Sequence, residues 1–386
     1  MKKILESIVK PLKKISSRKM YIHEPDLYLS DVKNLKTCVK ERNVSASGNF
    51  VKKFEKEIIK ITKSKYVVST NSGTSALHIA CLLSDIKKND EVLLPTFTFV
   101  ASAHAIIYCD AVPHFIDIEE NHFGIDFIKL RNYLKINSFK KNQRTFNKKT
   151  KRPIKAIMAV HPLGYPLDCD ELRKIAKEFN LIIIEDAADS LGSYFKGKHT
   201  GTFGKFGVLS FNGNKILTTG SGGAILTSEK KMAEKARKLV QTAKISHSYK
   251  MIHDEVGYNY RLSNINAALG LSQIKRFNQT LRKKRKIFRF YNKAFKNNEF
   301  FDIVKESKNK KFNYWLQTII IKKKYKTQIN TILKELIKNK IMARQGWELM
   351  TNLKHLKKYP KMKMTTAENI QPRIINLPSS TFILDN

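Results

Sequence analysis

The sequence predicts an α/β protein with a large mixed-sheet domain followed by a smaller α+β domain. Three observations carry this. Short apolar, β-branched runs (65–70, 91–94, 154–160 and 181–184) alternate with helical patterns, the signature of βα units. Glycine, serine or carboxylate residues gather where those runs end, which is where open α/β sheets hold their ligands. From about Gln279 the rhythm changes to long basic helices and one alternating strand, 313–321.

A chain of 386 residues is long enough for one large core and a second, smaller one. Apolar residues make up 42%, in the globular range, and the formal net charge is +40. Such a charge invites nucleic-acid or anionic-membrane binding. Lysine, however, is spread through the whole chain beside abundant Asn, Ile and Phe, so general compositional bias explains it better than a local patch. Cys38, Cys81, Cys109 and Cys169 show no CxxC spacing and no histidines at zinc-site intervals. Disulfide and metal frameworks are not expected, and a reducing cytoplasm fits. No apolar run approaches the roughly 18 residues of a membrane span, so stable membrane insertion is not expected. Residues 1–22 read as a basic, loosely held extension. Ile4, Leu5, Ile8, Val9, Leu12 and Ile15 fall at roughly helical spacing there, interrupted by Pro11. The large domain is expected over 23–250 and the small one over 251–386.

Residues 31–42 and 51–62 read as helices separated by the polar turn 45–49. Strand 65–70 runs into Asn71-Ser-Gly-Thr-Ser-Ala-Leu-His-Ile-Ala80, which turns through glycine into a helix. Free N–H groups and hydroxyls at that helix start make a ready phosphate cradle, although a Ser or Thr cap also has a purely structural reading. Strand 91–94 ends at Pro95, and 96–102 begins the next helix, with Phe97 and Phe99 suited to stack on a flat ligand or to fill the core. Strand 111–117 follows, then a polar loop over 139–151. Strand 154–160 ends in His161-Pro-Leu-Gly164 before a helix over 170–179.

Leu181-Ile-Ile-Ile-Glu-Asp186 is the most informative strand. Its four apolar residues mark burial on both faces, and Glu185 and Asp186 sit at its carboxyl end. A buried carboxylate needs a cation. A metal would use Asp186, Asp189 and a third oxygen ligand, for which no acidic cluster is evident; the alternative is a protonated ring nitrogen. Gly207-Val-Leu-Ser-Phe-Asn-Gly-Asn-Lys215 then carries a strand into a loop ending in lysine, and 222–227 is expected as its antiparallel return. A lysine on a tight loop after a buried strand is costly unless its amine is used, because a desolvated amine becomes nucleophilic. That suggests a Schiff-base lysine, although this stretch alone also fits a surface lysine in a lysine-rich chain. Helices are expected over 230–244, 265–277 and 331–338, with an irregular stretch at 247–253.

Taken in order, Ser72-Gly-Thr74, Pro95-Thr-Phe-Thr-Phe-Val-Ala-Ser102, Glu185-Asp-Ala-Ala188, Ser210-Phe-Asn-Gly-Asn-Lys215 and Gly257-Tyr-Asn-Tyr-Arg261 resemble the DegT/StrS family of PLP-dependent nucleotide-sugar aminotransferases. The resemblance runs from about His23 to Asn376-Leu-Pro378. Each motif is short, but five in order at family-like spacing are specific. The wording His23-Glu-Pro25, Glu185-Asp-Ala-Ala-Asp-Ser-Leu-Gly192 and Phe211-Asn-Gly-Asn-Lys215 is most similar to the LegC-type branch. That branch makes 4-amino-6-deoxy sugars on the route to bacillosamine and legionaminic acid.

The resemblance implies PLP-dependent transferase fold type I, the aspartate-aminotransferase fold, in a homodimer with shared active sites. Lys215 is then the covalent anchor of pyridoxal 5'-phosphate, and shuttles a proton between Cα of the amino donor and C4′ of the cofactor. Asp186 is expected to pair with the pyridinium nitrogen, and Gly73, Thr74 and Ser210 to hold the phosphate. Phe99 stacks on the ring, and Asn259 reaches the phosphate of the neighbouring subunit's cofactor. The implied reaction moves an amino group from glutamate to the 4-keto carbon of a nucleotide-linked 6-deoxy-hexosulose, similar to UDP-2-acetamido-2,6-dideoxy-4-hexulose, for surface polysaccharide or nonulosonic acid. Arg344 and Trp347 are candidate contacts to the nucleotide sugar, equally readable as a structural salt bridge and a core indole.

Two positions depart from the family pattern. Asp189 stands where many members carry His or Gln, placing a second anion near the cofactor's phenolic oxygen. Ser221 replaces a common Glu in the glycine-rich loop. Relatives that dehydrate carry His at the lysine position, and Lys215 argues against that chemistry. Competing readings are the same chemistry at another keto position and a non-catalytic regulator on this fold.

Overall fold

The computed structural model of the chain describes residues 2–46 and 48–385. Met1 of the expected extension, Ser47 of the expected polar turn and Asn386 of the expected C-terminal domain lie outside the described residues.

Seven strands make the central sheet: β1 (Tyr66–Thr70), β2 (Glu91–Pro95), β3 (Val112–Ile116), β4 (Pro153–Val160), β5 (Ile182–Asp186), β6 (Phe206–Ser210) and β7 (Gly223–Thr227). Their order is β1-β7-β6-β5-β4-β2-β3. Strands β3, β2, β4, β5 and β6 pair in parallel, and β7 runs antiparallel to β1 and β6, as the sequence suggests. Helices cover both faces, so β2, β3, β6 and β7 are buried at every residue. The register aligns Val160 and Val208 with Asp186 on either side. The loops after β4, β5 and β6 therefore emerge together.

The expected polar loop at 139–151 is a hairpin, Ser138–Lys141 against Arg144–Asn147, which extends the sheet through Thr145 beside Ile154. Asn142 and Gln143 turn it with positive φ at both positions. Phe139 and Phe146 stack across it at 5.5 Å; abundant lysine between them hides the two-residue period. The expected break near Phe277 is also absent, because one helix runs from Asn264 to Ala294. Phe277, Thr280, Lys284, Ile287 and Tyr291 are buried at three- and four-residue spacing along it, and the two polar members disguise the stripe.

A second core surrounds the four-stranded antiparallel sheet of Phe301–Ile303, Gln317–Ile321, Ile374–Leu377 and Arg344–Gln345. The amino-terminal residues are not loosely held. They form the helix Lys2–Ile15, whose Ile4, Ile8 and Leu12 are buried with Ile287, Tyr291 and Ile332 in this core. Pro11 removes one main-chain bond, but burying an aliphatic side chain contributes about 1.5–3 kcal/mol each, enough to hold the helix. Its basic residues form the outer face.

Beneath the sheet's carboxyl edge, Glu185 is fully buried. Its Oε1 accepts from the N–H groups of Phe203 (2.5 Å) and Gly204 (2.6 Å), and its Oε2 from Gly201 N–H (2.8 Å) and His161 Nε2 (3.0 Å). His161 Nδ1 accepts from Leu167 N–H at 3.1 Å, so Nε2 carries the ring proton. Cys169 completes a group close enough to hold a metal, but the Glu185 and His161 lone pairs are already engaged by these donors. The cluster is a structural clasp that ties the β4, β5 and 201–204 segments together.

Two outcomes follow from this packing. Ile8→Ala is expected to lower unfolding free energy by roughly 2–4 kcal/mol in denaturant titration, while the exposed Lys3→Ala changes it by under about 0.5 kcal/mol. Glu185→Gln should cost about 2–3 kcal/mol near neutral pH, the scale of losing hydrogen bonds to a charged group. Burial pushes the Glu185 pKa up, but His161 and the Gly204 and Gly201 amides outweigh it and hold the pKa below its ordinary 4.5. A carboxylate depressed in the fold stabilises it above its unfolded pKa and loses that contribution as pH falls through the folded value. The gap between wild type and Glu185→Gln should therefore be widest above pH 4.5 and narrow in acid; a gap independent of pH would contradict the clasp.

Candidate active site

A pocket of about 450 Å³ opens at the carboxyl edge of the sheet. Gly73, Thr74, Phe99, Asp186, Asp189, Ser210, Lys215, Arg344 and Trp347 all line it, although they come from segments up to 274 residues apart in sequence. Asn259 does not; its side chain is exposed, and its main chain bridges Gln241 and accepts from Asn71.

One end of the pocket is the start of the Gly73–Leu83 helix. Ser72 caps it, accepting from Ser75 N–H at 3.0 Å. The N–H groups of Gly73 and Thr74 precede the first intrahelical bond and have no intrahelical acceptor. A Cβ on Gly73 would lie 3.0 Å from Ser210 Cβ, so glycine lets the helix start close against the end of β6. Ser221 Oγ donates to Asn71 O at 2.7 Å and fastens the glycine-rich loop to the same corner. Backbone amides, two hydroxyls and the positive helix end together form an anion cradle.

The middle of the pocket holds the charges. Asp186 is buried and accepts from Ser102 Oγ at 2.6 Å and Ala188 N–H at 3.1 Å. Thr98 lies behind Ser102 at 2.9 Å. Among the described residues no cation pairs with Asp186, and burial first, then the nearby Asp189 charge, pushes its pKa up. Asp189 is already matched. Its Oδ1 lies 2.5 Å from Lys215 Nζ and its Oδ2 accepts from Leu163 N–H at 3.2 Å. The Lys215 side chain is only 13% exposed, so the surface-lysine reading does not hold. Its ammonium sits 4.4 Å from the Trp315 ring centroid, and Trp315 Nε1 donates to Asn214 O at 2.7 Å.

Phe99 stands 56% exposed at the mouth, not in the core; Phe97 is fully buried, as core packing requires. Trp347 packs on Phe97 with ring centroids 5.4 Å apart while still lining the pocket. Arg344 is exposed and forms no ion pair among the described residues, which removes its salt-bridge reading. His161, Ser102 and Trp315 were not singled out as site residues from the sequence. His161 directly follows an apolar strand, a position that could have revealed it; for Trp315 only the rarity of tryptophan offered a hint.

These residues fit pyridoxal phosphate by their chemistry. There is a nearly buried lysine amine, a buried carboxylate lacking a cation, an anion cradle and an exposed aromatic face around one cavity. The model of the DegT/DnrJ/EryC1/StrS aminotransferase family matches residues 26–384. GDP-perosamine synthase of Escherichia coli O157:H7 is 32% identical over 93% of this chain and 92% of its own. A UDP-4-amino-4,6-dideoxy-N-acetyl-beta-L-altrosamine transaminase of Campylobacter jejuni is 30% identical over 93% and 91%. The fold matches that of Helicobacter pylori PseC, an aminotransferase involved in the biosynthesis of pseudoaminic acid, with a TM-score of 0.84, 24% identity and 94% of each chain covered. With a pocket of this chemistry and matches of this extent, the chain belongs to the DegT/DnrJ/EryC1/StrS aminotransferase family and is a pyridoxal-phosphate-dependent sugar aminotransferase of fold type I.

Proposed function

We propose that this enzyme transfers an amino group from glutamate to the 4-keto carbon of a UDP-linked 2-acetamido-2,6-dideoxy-hexulose, in the cytoplasm, as a step towards a surface polysaccharide or nonulosonic acid. The observation that supports the chemistry most directly is the convergence of Lys215 and the cation-poor Asp186 on one cavity. The C4 position and the nucleotide rest on likeness to the altrosamine transaminase and on the sequence motifs; the perosamine relatives make the GDP-linked sugar the second reading.

When bound, the cofactor's pyridinium ring supplies an electron sink for the carbanion formed at the donor's Cα. Lys215 would be the attachment point, and its amine, once free, would be the base that moves the proton at the donor's Cα. Asp186, oriented by Ser102 and Thr98, keeps the ring nitrogen protonated. Gly73, Thr74 and Ser210 would hold the phosphate, and Phe99 would offer its face to the ring. Asp189 holds Lys215 in place rather than serving as a neutral hydrogen-bond partner of the ring. Arg344 and Trp347, which line the same pocket, meet the nucleotide sugar. Two chains share their sites, so the exposed Asn259 serves the neighbour's phosphate.

Purified protein with added pyridoxal phosphate should show the visible band of a lysine-linked cofactor, which glutamate bleaches to the pyridoxamine form. Lys215→Ala should lack that band, and Asp186→Asn should keep it while slowing bleaching about 10²–10³-fold, the scale for losing a preorganised electrostatic contact. With the pyridoxamine form in hand, UDP-linked 4-keto-6-deoxy sugar should restore the band faster than its GDP counterpart. No lysine-dependent band would end the aminotransferase mechanism; a preference for GDP would end only the substrate assignment. The shared site has its own check. Lys215→Ala and Asn259→Asp, each impaired alone, should regain activity when dissociated and mixed, through heterodimers with one unaltered site; no recovery would place Asn259 outside the neighbour's site.

A further inference from the structure

Lys284 of the long Asn264–Ala294 helix has no solvent exposure at all, and among the described residues no carboxylate forms an ion pair with it. A buried ammonium without a counter-ion survives only with its protons satisfied. Nζ lies 2.7 Å from His23 Nδ1, 3.1 Å from Trp315 O and 3.1 Å from Ser379 Oγ, and also donates to Ser379 O. His23 continues the chain, with Nε2 3.0 Å from the carbonyl oxygen of Lys215. A carbonyl can only accept, so Nε2 carries the His23 proton and Nδ1 is left to accept from Lys284. Burial, then the Lys284 charge, pushes the His23 pKa well below 6.5, in keeping with that neutral ring. Burial likewise lowers the Lys284 pKa, with the Asp26 charge opposing it, while the geometry itself asks for an ammonium: His23 Nδ1, Trp315 O and Ser379 O call for three donated protons.

The second arm closes a ring. Trp315, whose carbonyl Lys284 holds, grips the Asn214 carbonyl with its indole N–H at 2.7 Å and lies against the Lys215 ammonium with its face. One buried lysine thus anchors both residues that hold the consecutive carbonyls of Asn214 and Lys215. An apolar side chain of equal length would fill this space without desolvating a charge. What such a side chain could not do is orient His23 and Trp315.

We propose that Lys284 is a positioning residue for the reaction: through His23 and Trp315 it fixes the main chain and the amine of Lys215, so that proton transfer at the donor's Cα proceeds at full rate. The inference rests on the assignment of Lys215 as the proton carrier. Misplacing a proton carrier by about 1 Å costs up to ~10²-fold, and it does so at the proton-transfer step rather than in binding.

The test compares wild type, Lys284→Met and His23→Leu. His23→Leu cuts the link at a partly buried residue and keeps a measurable protein if Lys284→Met fails to fold. Each protein is titrated with pyridoxal phosphate and then mixed with glutamate or 2-deuterated glutamate at saturation while the visible band is followed. Hydrogen exchange of segment 211–218 is measured on the cofactor-free proteins. The variants should bind the cofactor within about threefold of wild type, bleach roughly 10- to 100-fold more slowly with an enlarged deuterium isotope effect, and exchange faster in that segment. The double variant should be no slower than the worse single one, since both act through one unit. A folded variant with wild-type rate and isotope effect overturns the proposal, as does a defect confined to cofactor affinity. Should wild type itself lack a glutamate-bleached band, the aminotransferase reading fails and this inference falls with it.

Discussion

Two carboxylates stand side by side at the end of β5, and the protein satisfies one while leaving the other short of a cation. Side chains alternate across a strand, so consecutive residues face opposite ways. Glu185 turns into the amides of the 201–204 segment and His161 and becomes part of the wall. Asp186 turns into the cavity and meets one hydroxyl and one amide. The neighbouring parallel strand β6, in register with it through Val208, delivers Ser210 and then Lys215 to the same side. The clasp below and the charge above are two consequences of a single strand end.

The sheet is legible in the sequence from local pattern, and most of the pocket from motifs whose roles the family resemblance implies. A run such as Leu181–Ile184 announces a buried strand without reference to the rest of the chain, and the loops after such strands must converge once the strands are parallel. Asn259 was legible as a motif, but one chain gives it no place in its own pocket. The hairpin at 138–147 and the continuity of the long helix were obscured by lysine and threonine at positions that the fold buries or pairs. The docking of the amino-terminal helix is hidden for a different reason. Its amphipathic stripe was visible, but nothing local says what covers it, and the partners Ile287 and Ile332 lie some 280 residues or more along the chain.

The same limit explains Lys284. On the sequence it is one of many basic residues in a basic helix, and its partners His23 and Trp315 lie 261 and 31 positions away. Composition makes this residue type look uninformative, although the fold treats its lysines unequally: many are solvated, whereas Lys284 is fully buried and the Lys215 side chain is only 13% exposed. Lys284 and Lys215 are joined through His23 and Trp315, so the second core and the central sheet meet at Lys215.

Charge counting inside the pocket narrows the kind of ligand it accepts. Lys215 answers Asp189 at 2.5 Å, and His161 is engaged as a neutral donor to Glu185. Asp186 is left over, its pKa raised by burial and by Asp189. Two carboxylates against one ammonium leave the middle of the cavity one positive charge short, while the helix end with Gly73, Thr74 and Ser210 is suited to an anion. A sugar diphosphate alone would serve only the anion cradle. A ring bearing a protonated nitrogen on one side and a phosphate on the other serves both at once. That leaves Arg344, exposed and without an ion pair among the described residues, as a further cation lining the same cavity.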